Sequence, residues 1–179
     1  MKLSLVVKIN NENYKKVIPQ LQSQDYKGCE IILYVQKPNA DLAKTIMEAS
    51  NKIPKITIYV SNKVLNKTNI IKRVSKISKR DYINYLEGNF QIKKNYTQTL
   101  NKLIRLYKTD IIEFGVEIKS PFKQKYKNRM IEKIIFNLSE NKMPVAKATP
   151  ILSNKIISTK ILKNLKHRKG SLINTEFST

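Results

Sequence analysis

Short apolar runs alternate with helix-spaced apolar residues along the first two-thirds of the chain. Residues 3–9 (LSLVVKI) are a short β-branched run followed by an Asn-rich turn, which predicts a buried strand. Over 12–23, Tyr14, Val17, Ile18 and Leu21 recur at helical spacing. Gly28 then breaks the chain before a second apolar strand, EIILYV at 30–35. A Lys37-Pro38-Asn39 turn leads into a helix over 40–51, with Leu42, Ile46 and Ala49 on one face. Pro54 closes that region, and KITIYV (55–60) predicts a third strand.

The stretch 67–78 spaces Ile70, Ile71, Val74 and Ile77 as an amphipathic helix, and DYINYL (81–86) predicts a fourth strand. A helix over 94–107 follows, with Tyr96, Leu100, Leu103, Ile104 and Tyr107 inward, and then a fifth strand, DIIEFGVEI at 110–118. Strands alternating with helices through short connections predict an α/β fold. Its sheet should be mainly parallel and covered on both faces, with the first four strands near its centre.

The last third is less regular. After Pro121, residues Phe122, Tyr126, Met130, Ile134 and Leu138 recur every four positions, and Lys123, Lys125, Lys127, Arg129 and Lys133 fill the other faces. This predicts a surface helix over 122–140 with a solvated basic side. MPVAKATPIL (143–152) carries two prolines and reads as an edge strand or loop. A final helix is expected over 155–166, with Ile157, Ile161, Leu162 and Leu165 on its apolar face. No internal repeat or flexible linker interrupts the 179 residues, so a single domain is expected.

Charge changes the picture most. Thirty-five Lys and Arg against thirteen Asp and Glu give a formal charge of +22. Such a surface attracts polyanions, whether nucleic acid, anionic lipid or an acidic protein. A coding bias toward Lys, Asn and Ile offers another origin for part of the excess, but the surface is basic either way. Cys29 is the only cysteine, which excludes an internal disulfide and reads as a buried structural thiol in a reducing compartment. No run of eighteen apolar residues is present, and Lys8 and Asn10 break the N-terminal apolar stretch. A cytoplasmic protein is expected, with docking at the inner membrane face as an extension. His167, within Lys166-His167-Arg168-Lys169, has no Cys or second His to join it and reads as an exposed neutral ring.

In order and spacing these pieces resemble a family 2 glycosyltransferase with a GT-A fold. Where that family's first strand ends in Pro-x-Tyr-Asn, this chain has Lys8-Ile9-Asn10-Asn11. Gln24-Asp25-Tyr26 matches the family's Gln-x-Tyr ahead of the second strand. The run DYINYLEGNFQIKKNYTQTLNKLIRLYKTDIIEFGV is similar to its central strand–motif–helix–strand segment. NKIISTKILKNLKHRKGSLINTEF is similar to the segment closing its acceptor side. The resemblance implies a GT-A-like (Rossmann-like) domain over 1–179, with a nucleotide-binding-like core at 1–118 and a basic acceptor-side region at 119–179.

It also implies where the chemistry should be, and there this sequence departs from the family. The Asp pair that holds uridine and ribose falls on Val35 and Gln36. The metal-binding Asp-x-Asp falls on Glu87-Gly88-Asn89, followed by Phe90. The Glu-Asp pair supplying the base falls on Asn174-Thr175, with Glu176 adjacent. Thr175 cannot take a proton at neutral pH. The implied pocket is therefore degenerate, lined by Asn11, Val35, Gln36, Lys72, Glu87 and Asn89, with no metal and no cofactor expected. The resulting expectation is a catalytically degenerate, basic structural or adaptor subunit that meets acidic partners in a multi-subunit assembly.

Two other readings stand beside it. One is an active, metal-independent transferase using a nucleotide-sugar donor, with Lys72, Lys93 and Lys94 neutralising the diphosphate as point charges. The other is a non-specific nucleic-acid binder, in which Phe122 and Tyr126 interleave with the basic segment. The basic tail would join it through Lys160, Lys163, Lys166, Arg168 and Lys169. For the adaptor and nucleic-acid readings the polyanion-facing set is Lys123, Lys125, Lys127, Arg129, Lys133, Lys163, Lys166, Arg168 and Lys169.

Overall fold

The computed structural model describes residues 2–116, 135, 137, 140 and 152–164. The strands are β1 (Leu3–Ile9), β2 (Cys29–Gln36), β3 (Ile56–Ser61), β4 (Tyr82–Leu86), β5 (Ile111–Glu113) and β6 (Lys155–Ser158). Between them run α1 (Tyr14–Gln22), α2 (Ala40–Ser50), α3 (Lys67–Ile77) and α4 (Tyr96–Tyr107), and α5 (Thr159–Asn164) follows β6. The six strands form one sheet in the order β3-β2-β1-β4-β6-β5. β1 pairs in parallel with both β2 and β4, β2 pairs in parallel with β3, and β6 runs antiparallel between β4 and β5.

Helices cover both faces, and strand alternation assigns each side chain to one of them. Leu3, Leu5, Val7 and Ile9 of β1 pack in the larger core with α1, α2 and α4, through Val17, Leu21, Leu42, Ile46, Leu100 and Ile104. Val6 points the other way, into a smaller core with Ile32, Tyr34, Ile70, Val74 and Leu162 beneath α3 and α5. Every residue of β2 is buried, so its sequence is a continuous apolar run without alternation. α2 and α3 both begin on an Asn cap at the same end of the sheet: Asn39 accepts from the Leu42 amide at 2.9 Å, and Asn66 from that of Asn69 at 2.9 Å.

Three expectations are corrected. β3 lies at the edge rather than near the centre, because the chain winds outward through β1, β2 and β3 before α3 carries it back to β4 beside β1. The fifth strand stops at Glu113, where the Phe114 amide turns to the Asn154 carbonyl at 3.0 Å. Residues 155–158, expected as helix, form β6. Ile156 and Ile157 are adjacent and pack into opposite cores, a period of two that a strand supplies and a helix does not. The buried Asn84 side chain of β4 binds the carbonyls of Ser153 and Lys155 at 3.0 and 2.9 Å and pins that strand in place. The helix begins only at Thr159. Most of the basic stretch 122–140, nearly all of the extended stretch 143–152 and the tail from 165 onward lie outside the described residues.

Candidate functional site

The strand order reverses between β1 and β4, and a parallel α/β sheet opens a crevice at the carboxyl ends of such a pair. Three loops meet there, after β1, β2 and β4, and asparagines join them. Asn11 donates to the Lys37 carbonyl and accepts from the Asn39 amide, both at 3.1 Å, linking the first two loops. Asn13 donates to the carbonyls of Lys8 and Gly88 at 3.3 and 3.4 Å, linking the first to the third. The third loop turns at Gly88, whose φ of +74° suits a residue without a Cβ. From α1, Gln20 binds the Phe90 carbonyl at 3.2 Å and the Ile92 amide at 2.8 Å, and just beyond the helix Gln24 binds the Lys93 carbonyl at 2.9 Å.

Glu87 is the carboxylate of this crevice, and it is already engaged. Lys67 Nζ, at the first position of α3, lies 2.5 Å from its Oε1, and Lys8 Nζ lies 3.8 Å from its Oε2. The Tyr85 hydroxyl donates to the same Oε2 at 2.8 Å. Continuing the β1–β4 register by one step sets Lys8 opposite Glu87, and both project toward the α3 side. Burial holds the Lys8 ammonium below its ordinary pKa; burial and then the charge of Lys8 do the same to Lys67. Tyr85 is pushed up, first by burial and then by the neighbouring Tyr34. The Tyr34 hydroxyl is itself buried without a hydrogen-bond partner among the described residues.

Magnesium and manganese take several hard oxygen ligands. Here one carboxylate shared by two ammonium groups stands beside Asn89, which is neutral and exposed. Among the described residues, no three His, Cys, Asp or Glu side chains converge on a metal position. The described residues around Glu87 therefore do not fit a divalent ion.

The other expected residues are dispersed. Val35 is fully buried in the larger core and lines no crevice. Gln36 is buried and donates to the Leu65 carbonyl at 3.2 Å. Lys72 sits about 140° around α3 from Lys67 and about 7.5 Å along it. It lines a groove of about 300 Å3 with Leu65, Asn69, Arg73 and Lys76. Lys93 and Lys94 are exposed on the third loop, and Lys163 is exposed on α5. Thr175, Glu176, Lys123, Lys125, Lys127, Arg129, Lys133, Lys166, Arg168 and Lys169 lie outside the described residues. Sequence reasoning missed Lys8, Lys67 and Tyr85. A signal existed for the first, since a lysine inside an otherwise apolar strand needs a partner of opposite charge.

No protein-family model matches the chain, and no curated protein matches it in sequence. Solved structures do. The crystal structure of S. aureus TarS 1–349 in complex with UDP-GlcNAc aligns with a TM-score of 0.68 at 16% identity, covering 91% of this chain and 47% of that one. The mannosyltransferase PcManGT from Pyrobaculum calidifontis, in complex with GDP-Man and Mn2+, aligns at 0.54 with 9% identity over 68% and 36% of the two chains. HddC from Yersinia pseudotuberculosis aligns at 0.55 with 14% identity over 98% and 84%. The chain spans about half the length of the TarS fragment. At these identities the likeness is one of fold alone: over most of its length the domain has a GT-A-like α/β build. No described helix is long and apolar enough to cross a membrane.

Proposed function

We propose that this chain is a catalytically silent GT-A-like domain serving as a basic structural or adaptor subunit, docked on acidic partners in a larger assembly. One observation carries the reading: the carboxylate at the end of β4 is neutralised from within by Lys67 and Lys8. The PcManGT structure holds GDP-Man with Mn2+. In this chain an ion approaching Glu87 would have to displace two ammonium groups and would gain a single carboxylate. Val35 and Gln36, spent on the core and on a loop carbonyl, leave no acidic pair after β2. The charge of +22 supplies the docking force, since complementary potentials steer association and set orientation. The anionic inner leaflet of a membrane is the other surface of matching sign.

A second reading is favoured by the same pair of lysines. Lys8 and Lys67, rather than Lys72, Lys93 and Lys94, converge on the end of β4 and would neutralise a diphosphate without a metal.

Incubation with UDP- and GDP-sugars, with Mn2+ or with EDTA, tests both. The silent-subunit reading expects no turnover in either condition and a native assembly larger than the monomer in a gentle lysate. Turnover that survives EDTA establishes the metal-independent enzyme instead. Turnover that requires Mn2+ overturns both.

A further inference from the structure

The edge strand β3 is the part of the sheet that the crevice does not use. Among the described residues it pairs with β2 on one side only. The carbonyls of Lys55 and Ser61 accept from Ile31 and Lys37 at 3.1 and 2.9 Å, so the odd-numbered residues of this stretch turn their backbone groups toward β2. By alternation, Ile56, Ile58 and Val60 turn theirs outward. Ile58 and Val60 are 38% and 55% exposed, and Val64 just beyond the strand is 68% exposed. Proteins blunt such edges with prolines, bulges or charges within the strand. β3, ITIYVS, contains none of these residues and pairs with β2 in unbroken register.

The chain from the start of this edge through α3 is basic. From Ala49 to Arg80 the chain has no Asp or Glu and nine Lys or Arg. Lys67 and Arg80 are paired with Glu87 and Glu30. Arg73 reaches across to donate to the Tyr59 hydroxyl at 3.0 Å, which joins β3 to the α3 groove lined by Leu65, Asn69, Lys72, Arg73 and Lys76. Tyr59 is stacked on Tyr34 at 5.3 Å, so the strand is braced from beneath. The edge is thus rigid, with apolar side chains on one face and cations along the other.

We infer that β3 docks one extended, acidic segment of a partner protein, which adds to the sheet beside it. That segment carries carboxylates on the α3 side, against Arg73 and Lys76, and apolar side chains on the side of Ile58 and Val60. Main-chain hydrogen bonds supply affinity in this mode, and alternate side chains supply specificity. A second copy of this chain does not suit the edge, because two such edges would bring two sets of uncompensated lysines together. The inference rests on the assembly reading and gives that assembly its contact.

The test uses the full chain with two blocked seven-residue peptides, one alternating Glu and Val and the other Lys and Val, followed by fluorescence anisotropy. The Glu/Val peptide should bind saturably and weaken with salt, and the Lys/Val peptide should not bind. Val60→Pro removes an outward N–H without touching the β2 ladder, and should weaken binding about tenfold or more. Arg73→Glu with Lys76→Glu alters exposed side chains only, and should also weaken binding about tenfold and flatten its salt dependence. Equal binding of both peptides, unchanged binding by both variants, or self-association through β3 overturns the inference. Native size is read separately. A wild-type chain that runs as a monomer in lysate refutes the assembly reading, while Val60→Pro remaining in an assembly with wild-type yield refutes the edge alone.

Discussion

Two glutamates stand at opposite ends of the parallel strands, each beside cations, and they are held differently. Glu30, at the start of β2, is 8% exposed. It accepts from the Ser4 hydroxyl at 2.6 Å and the Lys79 amide at 3.2 Å, with Arg80 Nε at 3.3 Å from its other oxygen. Ser78 joins the network through Ser4 at 2.7 Å. Glu87, at the end of β4, keeps one hydrogen bond and two ammonium neighbours on a side chain 21% exposed. The lower carboxylate is enclosed by hydroxyl and backbone donors and ties three segments together. The upper one is flanked by two partly exposed lysine heads at a solvent-facing crevice. Charge pairing alone does not separate the two carboxylates; enclosure by uncharged donors does.

The comparison predicts unequal losses. Glu30→Ala takes the acceptor from the Ser4 hydroxyl and the Lys79 amide and the counter-charge from the partly buried Arg80, and should lower unfolding free energy by about 3 kcal/mol in urea titration. A loss no larger than that of a surface ion pair would remove the distinction.

Cys29, the neighbour of Glu30, gives a second test of enclosure at the lower end. It is fully buried, and burial pushes its thiol up to about 12 from an ordinary 9.0. Above pH 9 the unfolded thiol ionises while the folded one keeps its proton. The unfolded state then binds fewer protons, and stability falls as pH rises toward 12. The thiol's share of the slope approaches about 1.4 kcal/mol per pH unit, and the Cys29→Val variant should lose stability less steeply than the wild type by that amount in parallel denaturation curves.

The smallest effect belongs to the upper end. Glu87→Gln should change stability by about 1 kcal/mol or less, because the amide oxygen can still accept from the Tyr85 hydroxyl and the two partly exposed ammonium groups reach water when released. Titration with Mn2+ should leave the melting temperature of the wild-type protein unmoved. A saturable Mn2+ shift that Glu87→Gln abolishes would make the upper glutamate a metal ligand and reverse its assignment.

Legibility in the sequence followed the range of the interactions involved. The first four strands and four helices were readable because local periodicity records which face is buried. The GT-A-like framework was readable from their order. The Lys8–Glu87–Lys67 arrangement was not readable. Its members are distant in sequence and meet only because β4 returns to lie beside β1 and α3 begins its crossover there. Lys72, which the resemblance places in the crevice, is turned by helical rotation into the groove beside β3.

The sequence by itself determined the alternation of strands and helices, the basic surface, the buried thiol and the absence of an acidic pair after β2, since each depends on residue type and short-range spacing. Only the tertiary structure decided that KIIS is a strand, that β3 is an edge and that Glu87 is neutralised by two lysines. A segment with two adjacent apolar residues can satisfy either period, and the layers that close around it select one. Likewise, a charge has no partner until the fold brings one within reach.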